Sequence, residues 1–89
     1  MESSREVKIV NKYGLHARPS AEFVKTAGRF SADVWVSKDG LDVSGKSIMG
    51  VMMLAAEFGS TIVIRANGAD SEAVLDALCS LVASRFGEE

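Results

Sequence analysis

Ala32-Asp33-Val34-Trp35-Val36-Ser37-Lys38-Asp39-Gly40-Leu41-Asp42-Val43-Ser44 is the stretch that decides the fold. Its first half alternates, with Val34 and Val36 on one face and polar residues between them, which is the pattern of a half-buried strand. Asp39-Gly40 is a strong hairpin signal, because a type I′ turn needs positive φ at both central residues. Leu41 to Ser44 then reads as the return strand, with Leu41 and Val43 turned inward. A hairpin here makes the sheet antiparallel at this point.

Upstream, residues 5–11 (Arg-Glu-Val-Lys-Ile-Val-Asn) also alternate, with Val7 and Ile9 sharing a face. Asn11 to Leu15 is turn-like and contains Gly14. From Ala17 the period changes: Ala17, Ala21, Val24 and Gly28, flanked by Phe23 and Ala27, trace the stripe of an amphipathic helix. Pro19 fits its first turn, and Gly28 is a plausible stop. Downstream, Ser47 precedes a short apolar helix over Ile48 to Ala56, ending before Gly59. Thr61 to Ala66 is a β-branched strand closed by Asn67-Gly68. Asp70 can cap a last helix with Glu72 in its first turn. Val74, Leu78, Leu81, Val82 and Phe86 supply that helix's stripe, and Arg85 lies in its last turn. The order is β-α-β-β-α-β-α. This is an α+β pattern, with a mostly antiparallel sheet and helices on one face. The pattern leaves the strand order open.

The chain has 89 residues, so a single domain over residues 1–89 is expected. It holds one His, one Pro and one Cys. One Cys makes no internal disulfide, and one Cys with one His builds no zinc cluster. No metal and no cofactor are expected. The formal net charge of −2 offers no basic footprint for nucleic acid. No apolar run approaches the ~20 residues of a membrane span, and no signal peptide is visible. The expectation is a cytoplasmic domain with no membrane or nucleic-acid partner. So small a core has little room for a deep cavity, which favours a carrier, binding or regulatory role over a self-contained enzyme.

The sole histidine lies in Gly14-Leu15-His16-Ala17-Arg18-Pro19, between a loop glycine and a helix start. That places His16 at or near the N-cap, with the backbone N–H groups of Ala17 and Arg18 free. A helix N-terminus attracts anions. Its field favours a neutral, nucleophilic ring and then a phosphoryl group attached to it. Arg18 adds a planar cation able to hold phosphate oxygens with two donors. A lone histidine near a helix start is more often a surface or capping residue, and the local pattern leaves both readings open.

Residues 11–20 (Asn-Lys-Tyr-Gly-Leu-His-Ala-Arg-Pro-Ser) resemble the active-site motif of the HPr family of histidine-containing phosphocarriers. A second run, Gly45-Lys46-Ser47-Ile48-Met49-Gly50-Val51-Met52, resembles the family's regulatory-serine segment. The length and element order match as well. The resemblance implies an open-faced β-sandwich, with four antiparallel strands in the order 1-4-2-3 and three helices on one face. It implies a carrier, not an enzyme, in the phosphoenolpyruvate-dependent phosphotransferase system. Phospho-enzyme I would supply the phosphoryl group to Nδ1 of His16, and a histidine on an enzyme II A-domain would receive it. Arg18 maps to the arginine that stabilises the group. The chain would act as a monomer through transient protein contacts.

Ser47 suits an N-cap on physical grounds. The resemblance adds that it is a regulatory phosphorylation site, with an HPr kinase/phosphorylase as the modifying enzyme. A phosphate there adds about −1.5 to −2 charges to a docking surface. Ile48, Met49 and Met52 map to the family's exposed partner patch, and flexible methionine suits several partners in turn. Val51 and Leu54 read as core. Cys79 reads as a packed filler. The alternative is a regulatory HPr-like binding module, nitrogen-related or serine-phosphorylated, that serves no sugar transport.

Overall fold

The computed structural model describes residues 2–88. Its elements are β1 (Glu2–Lys8), α1 (Ala17–Ala27), β2 (Asp33–Lys38), β3 (Leu41–Ser44), α2 (Ile48–Met53), β4 (Thr61–Asn67) and α3 (Ser71–Ala83). A 3₁₀ turn over Arg85–Gly87 follows α3. The four strands form one antiparallel sheet in the order β1-β4-β2-β3. This is the α+β architecture expected, with the strand order the resemblance implied. Asp39 and Gly40 both have positive φ (50° and 86°), as the hairpin turn requires.

Register determines which side chains reach the core. Val34 and Val36 of β2 and Ile62, Ile64 and Ala66 of β4 are buried under the helices. Val7 lies opposite Ile62 and Arg5 opposite Ile64, so both face the same side. Arg5 stands at the sheet edge, and its guanidinium bridges Glu72 (2.7 Å) and Asp76 (2.9 Å) of α3. Phe23 and Ala27 of α1, Val51 of α2 and Val74, Leu75 and Leu78 of α3 close the core from above. The opposite sheet face is open. There Arg65 lies 5.1 Å from the centre of the Trp35 ring and pairs with Asp42 (2.6 Å) and Glu2 (3.1 Å).

Several details differ from the sequence expectations. β1 starts at Glu2 and ends at Lys8, although Ile9 still exchanges backbone bonds with Ser60 and Gly59. The buried stripe of α1 is Pro19, Ser20, Phe23, Thr26 and Ala27, while Ala17 is exposed. Leu41 is exposed, since β3 is the sheet edge and runs beyond the helical cover. α2 ends at Met53 because Ala55 turns left-handed (φ 50°) and the Ala56 carbonyl accepts from Leu15. Asp70 makes no capping bond to α3. Its carboxylate instead accepts the backbone N–H groups of Ser31 and Ala32, at 2.8 Å each.

Candidate functional site

His16 occupies the N-cap of α1 in extended conformation, and its carbonyl accepts the first intrahelical bond from Ser20. Its ring makes no capping bond. Pro19 brings no N–H, and those of Ala17 and Arg18 meet no protein acceptor among the described residues. The loop before it is pressed against the segment after α2. Leu15 donates to the Ala56 carbonyl (2.8 Å), and Gly14 sits at φ 68°. A Cβ at Gly14 would run into the Ala56 carbonyl oxygen and the Glu57 Cα, so only glycine fits. The His16 side chain is 41% exposed and that of Arg18 is 61% exposed. The Tyr13 ring stands edge-on to the imidazole, 6.2 Å away, and Lys12 lies over Tyr13.

The structure adds one residue from outside the motif, Glu88, and gives the motif's own Asn11 a structural role. Glu88 Oε2 lies 3.1 Å from His16 Nε2 and 3.1 Å from Arg18 Nη1. Its other oxygen, Oε1, accepts from Asn11 Nδ2 at 3.0 Å. Asn11 is fully buried and donates also to the Gly14 carbonyl, while its Oδ1 has no protein partner among the described residues. A single carboxylate thus ties ring, guanidinium and loop together. Burial works to raise the Glu88 carboxyl, but Asn11, the His16 ring and Arg18 together hold it below its ordinary value.

The chain reaches this position through a run of left-handed residues: Arg85 (φ 60°), Phe86 (φ 55°) and Gly87 (φ 76°). Such a conformation costs about 1–3 kcal/mol at a non-glycine residue and persists only where the surroundings enforce it. Burial of Phe86 supplies that enforcement. Arg85 therefore lies beyond α3 rather than in its last turn, and Phe86 packs from this kink rather than from the helix stripe. Two sequence signals bear on the inward turn of Asn11 and on the approach of Glu88. Asn11 continues the period-two face of Val7 and Ile9, so its side chain is due to point inward. Gly87 just after the last apolar residue marks a chain reversal.

Ser47 caps α2: its Oγ accepts the Gly50 N–H at 3.0 Å. Beside it Ile48 (43%), Met49 (74%) and Met52 (41%) are exposed, with Met53 and Phe58 (64% each), while Val51 and Leu54 are buried. Cys79 is half-buried in α3. No cluster of metal-ligating side chains occurs among the described residues.

An exposed imidazole thus stands at a helix start with an arginine beside it. The chain belongs to the HPr family of phosphocarrier proteins of the phosphotransferase system, which matches it over residues 3–84 as "PTS HPr component phosphorylation site". The phosphocarrier protein HPr of Cupriavidus necator is 51% identical over 84 residues, 94% of each chain. The crystal structure of HPr-C-His from Thermoanaerobacter tengcongensis superposes with a TM-score of 0.94 at 47% identity, covering 98% of each chain. Crh of Bacillus subtilis, described as a domain-swapped dimer, superposes at 0.76 and 42% identity over 91% of this chain and 93% of its own.

Proposed function

We propose that this chain takes a phosphoryl group on His16 from phospho-enzyme I, charged by phosphoenolpyruvate, and passes it to enzyme II A-domains. The observation that carries this reading is the exposed His16 ring at the start of α1 with Arg18, the second residue of that helix, beside it. Transfer between two proteins needs a nucleophile that a partner can reach, and this ring is open to solvent. Arg18 offers several N–H donors and spends one on Glu88. The remaining donors and the free N–H groups of Ala17 and Arg18 suit an incoming anion. The carrier works in the cytoplasm as a single copy that binds its partners briefly.

Ile48, Met49 and Met52 form the apolar part of the docking surface. Exposed apolar side chains on one short helix are what a partner covers and water does not reward. Ser47 is the regulatory position in this reading. Phosphorylation of its Oγ by an HPr kinase/phosphorylase would place a dianion beside those residues and oppose docking by acidic partners. The second reading, a regulatory module without sugar transport, draws on the intact Ser47 cap and the adjacent patch, which need no phosphohistidine.

The test uses purified enzyme I and phosphoenolpyruvate. Wild type acquires an acid-labile phosphate, and His16→Ala does not. Labelling that persists in His16→Ala defeats the proposal. Modification at Ser47 by a kinase, with no transfer to His16, establishes the second reading in its place.

A further inference from the structure

We propose that Met49, Met52 and Met53 form an oxidation site on α2: peroxide converts their thioethers to sulfoxides and so weakens docking of the carrier without unfolding it. This inference rests on the reading of Ile48, Met49 and Met52 as a docking surface, and it names a chemical control of that surface.

Methionine occurs four times in the chain, and three of the four fall within the six residues of α2. Met49 precedes Met52 and Met53 by three and four residues, a spacing that makes it a neighbour of both on the helix surface. Met49 is 74% exposed, Met53 64% and Met52 41%, so all three are open to a small oxidant. Among the described residues no methionine is buried in the core. Oxidation therefore strikes the patch and spares the packing beneath it. The single cysteine, Cys79, is half-buried on a separate helix, α3.

The step is an oxygen transfer. The sulfur lone pair attacks one oxygen of hydrogen peroxide, and the O–O bond breaks. That oxygen stays on sulfur as the sulfoxide, its proton passes to the departing hydroxide, and water leaves. Sulfur is oxidised and the peroxide is reduced. A flexible apolar side chain has become a polar one. In the free carrier the new oxygen faces water and keeps its hydrogen bonds. Beneath an apolar partner surface it loses them with no donor to replace them, which costs free energy. The helix is held from its other side. Val51 and Leu54 are buried, and Ser47 Oγ accepts the Gly50 N–H at 3.0 Å. These anchors do not include a methionine.

The experiment treats wild type and a triple variant, Met49→Leu, Met52→Leu and Met53→Leu combined, with hydrogen peroxide. Catalase then removes the excess. Peptide mass spectrometry locates the added oxygen and thermal unfolding reports the fold. Steady-state transfer from enzyme I with phosphoenolpyruvate gives KM and kcat, each protein being compared with its own untreated sample. In wild type the α2 peptide is expected to gain an oxygen at each methionine, Met49 first. KM is expected to rise about tenfold, the scale of losing one strong interface contact, while kcat and Tm hold. Methionine sulfoxide reductase then restores KM. The triple variant, which keeps Cys79 and His16, shows no rise. Methionines on α2 that resist peroxide sufficient to oxidise free methionine overturn the proposal, as do sulfoxides that leave KM unchanged. An equal rise in the triple variant, or a lowered Tm in oxidised wild type, overturns it as well, since the effect then comes from another group or from the fold. All of these outcomes leave His16 as the acceptor. Absence of phosphohistidine from untreated wild type overturns the parent reading and this inference together.

Discussion

Asn11 and Glu88, 77 residues apart in the chain, meet through one hydrogen bond of 3.0 Å between the Asn11 amide and Glu88 Oε1. Asn11 also holds the Gly14 carbonyl at 2.8 Å. One buried side chain therefore joins the loop that presents His16 to the segment that contacts its ring.

Asn11→Ala removes both bonds and leaves their acceptors unpaired. Stability is expected to fall by about 1–3 kcal/mol, the scale of a lost buried polar partner. Urea denaturation measures it. An unchanged midpoint would show that the amide is not part of the load on the loop.

The Glu88 carboxyl is held below its ordinary value in the folded chain. The unfolded chain therefore takes up that proton at higher pH. Its stabilising contribution is complete above the ordinary carboxylate range and is lost as pH falls through the lowered folded-state value. Urea curves of wild type and Glu88→Gln should lie apart at neutral pH and converge in acid. A gap that stays constant at every pH would contradict the assignment.

Gly14→Ala forces a side chain into the backbone of Ala56 and Glu57 at positive φ. A loss of about 2 kcal/mol or more is expected, together with slower phosphorylation of His16. Thermal unfolding and enzyme I labelling report the two effects separately. A variant of wild-type stability would mean that the loop has room to move.

Ser47→Ala deletes the acceptor for the Gly50 N–H and should cost about 0.5–2 kcal/mol. Phosphoryl transfer to His16 should continue in this variant. A complete loss of transfer would show that the cap supports the active-site loop directly.

Met49→Glu places a charge on the most exposed residue of the apolar patch. The KM for enzyme I is expected to rise about fivefold or more, near 1 kcal/mol, with unfolding unaffected. Steady-state transfer kinetics decide it, and an unchanged KM would remove Met49 from the docking surface.

Much of the molecule follows from local pattern. Alternation at Val34 and Val36, the Asp39-Gly40 turn and the helix start around Pro19 each depend on residues a few positions apart. Their conformations therefore follow from backbone sterics and the burial of nearby side chains. His16 and Arg18 were legible for the same reason: their geometry is set within one turn of α1. Ser47 as a cap belongs with them.

Other features required the assembled chain. The β1-β4-β2-β3 order pairs strands that no short window links. Asp70 reads as a cap for its own helix, yet it satisfies Ser31 and Ala32 across the fold. Above all, the sequence alone marked one histidine with an arginine beside it. Tertiary structure decided that Glu88 would complete the site, because a left-handed run after α3 and a buried Asn11 bring that carboxylate to the ring. A contact spanning 72 positions depends on strand pairing and core burial, and neither is a property of the residues nearby in the chain.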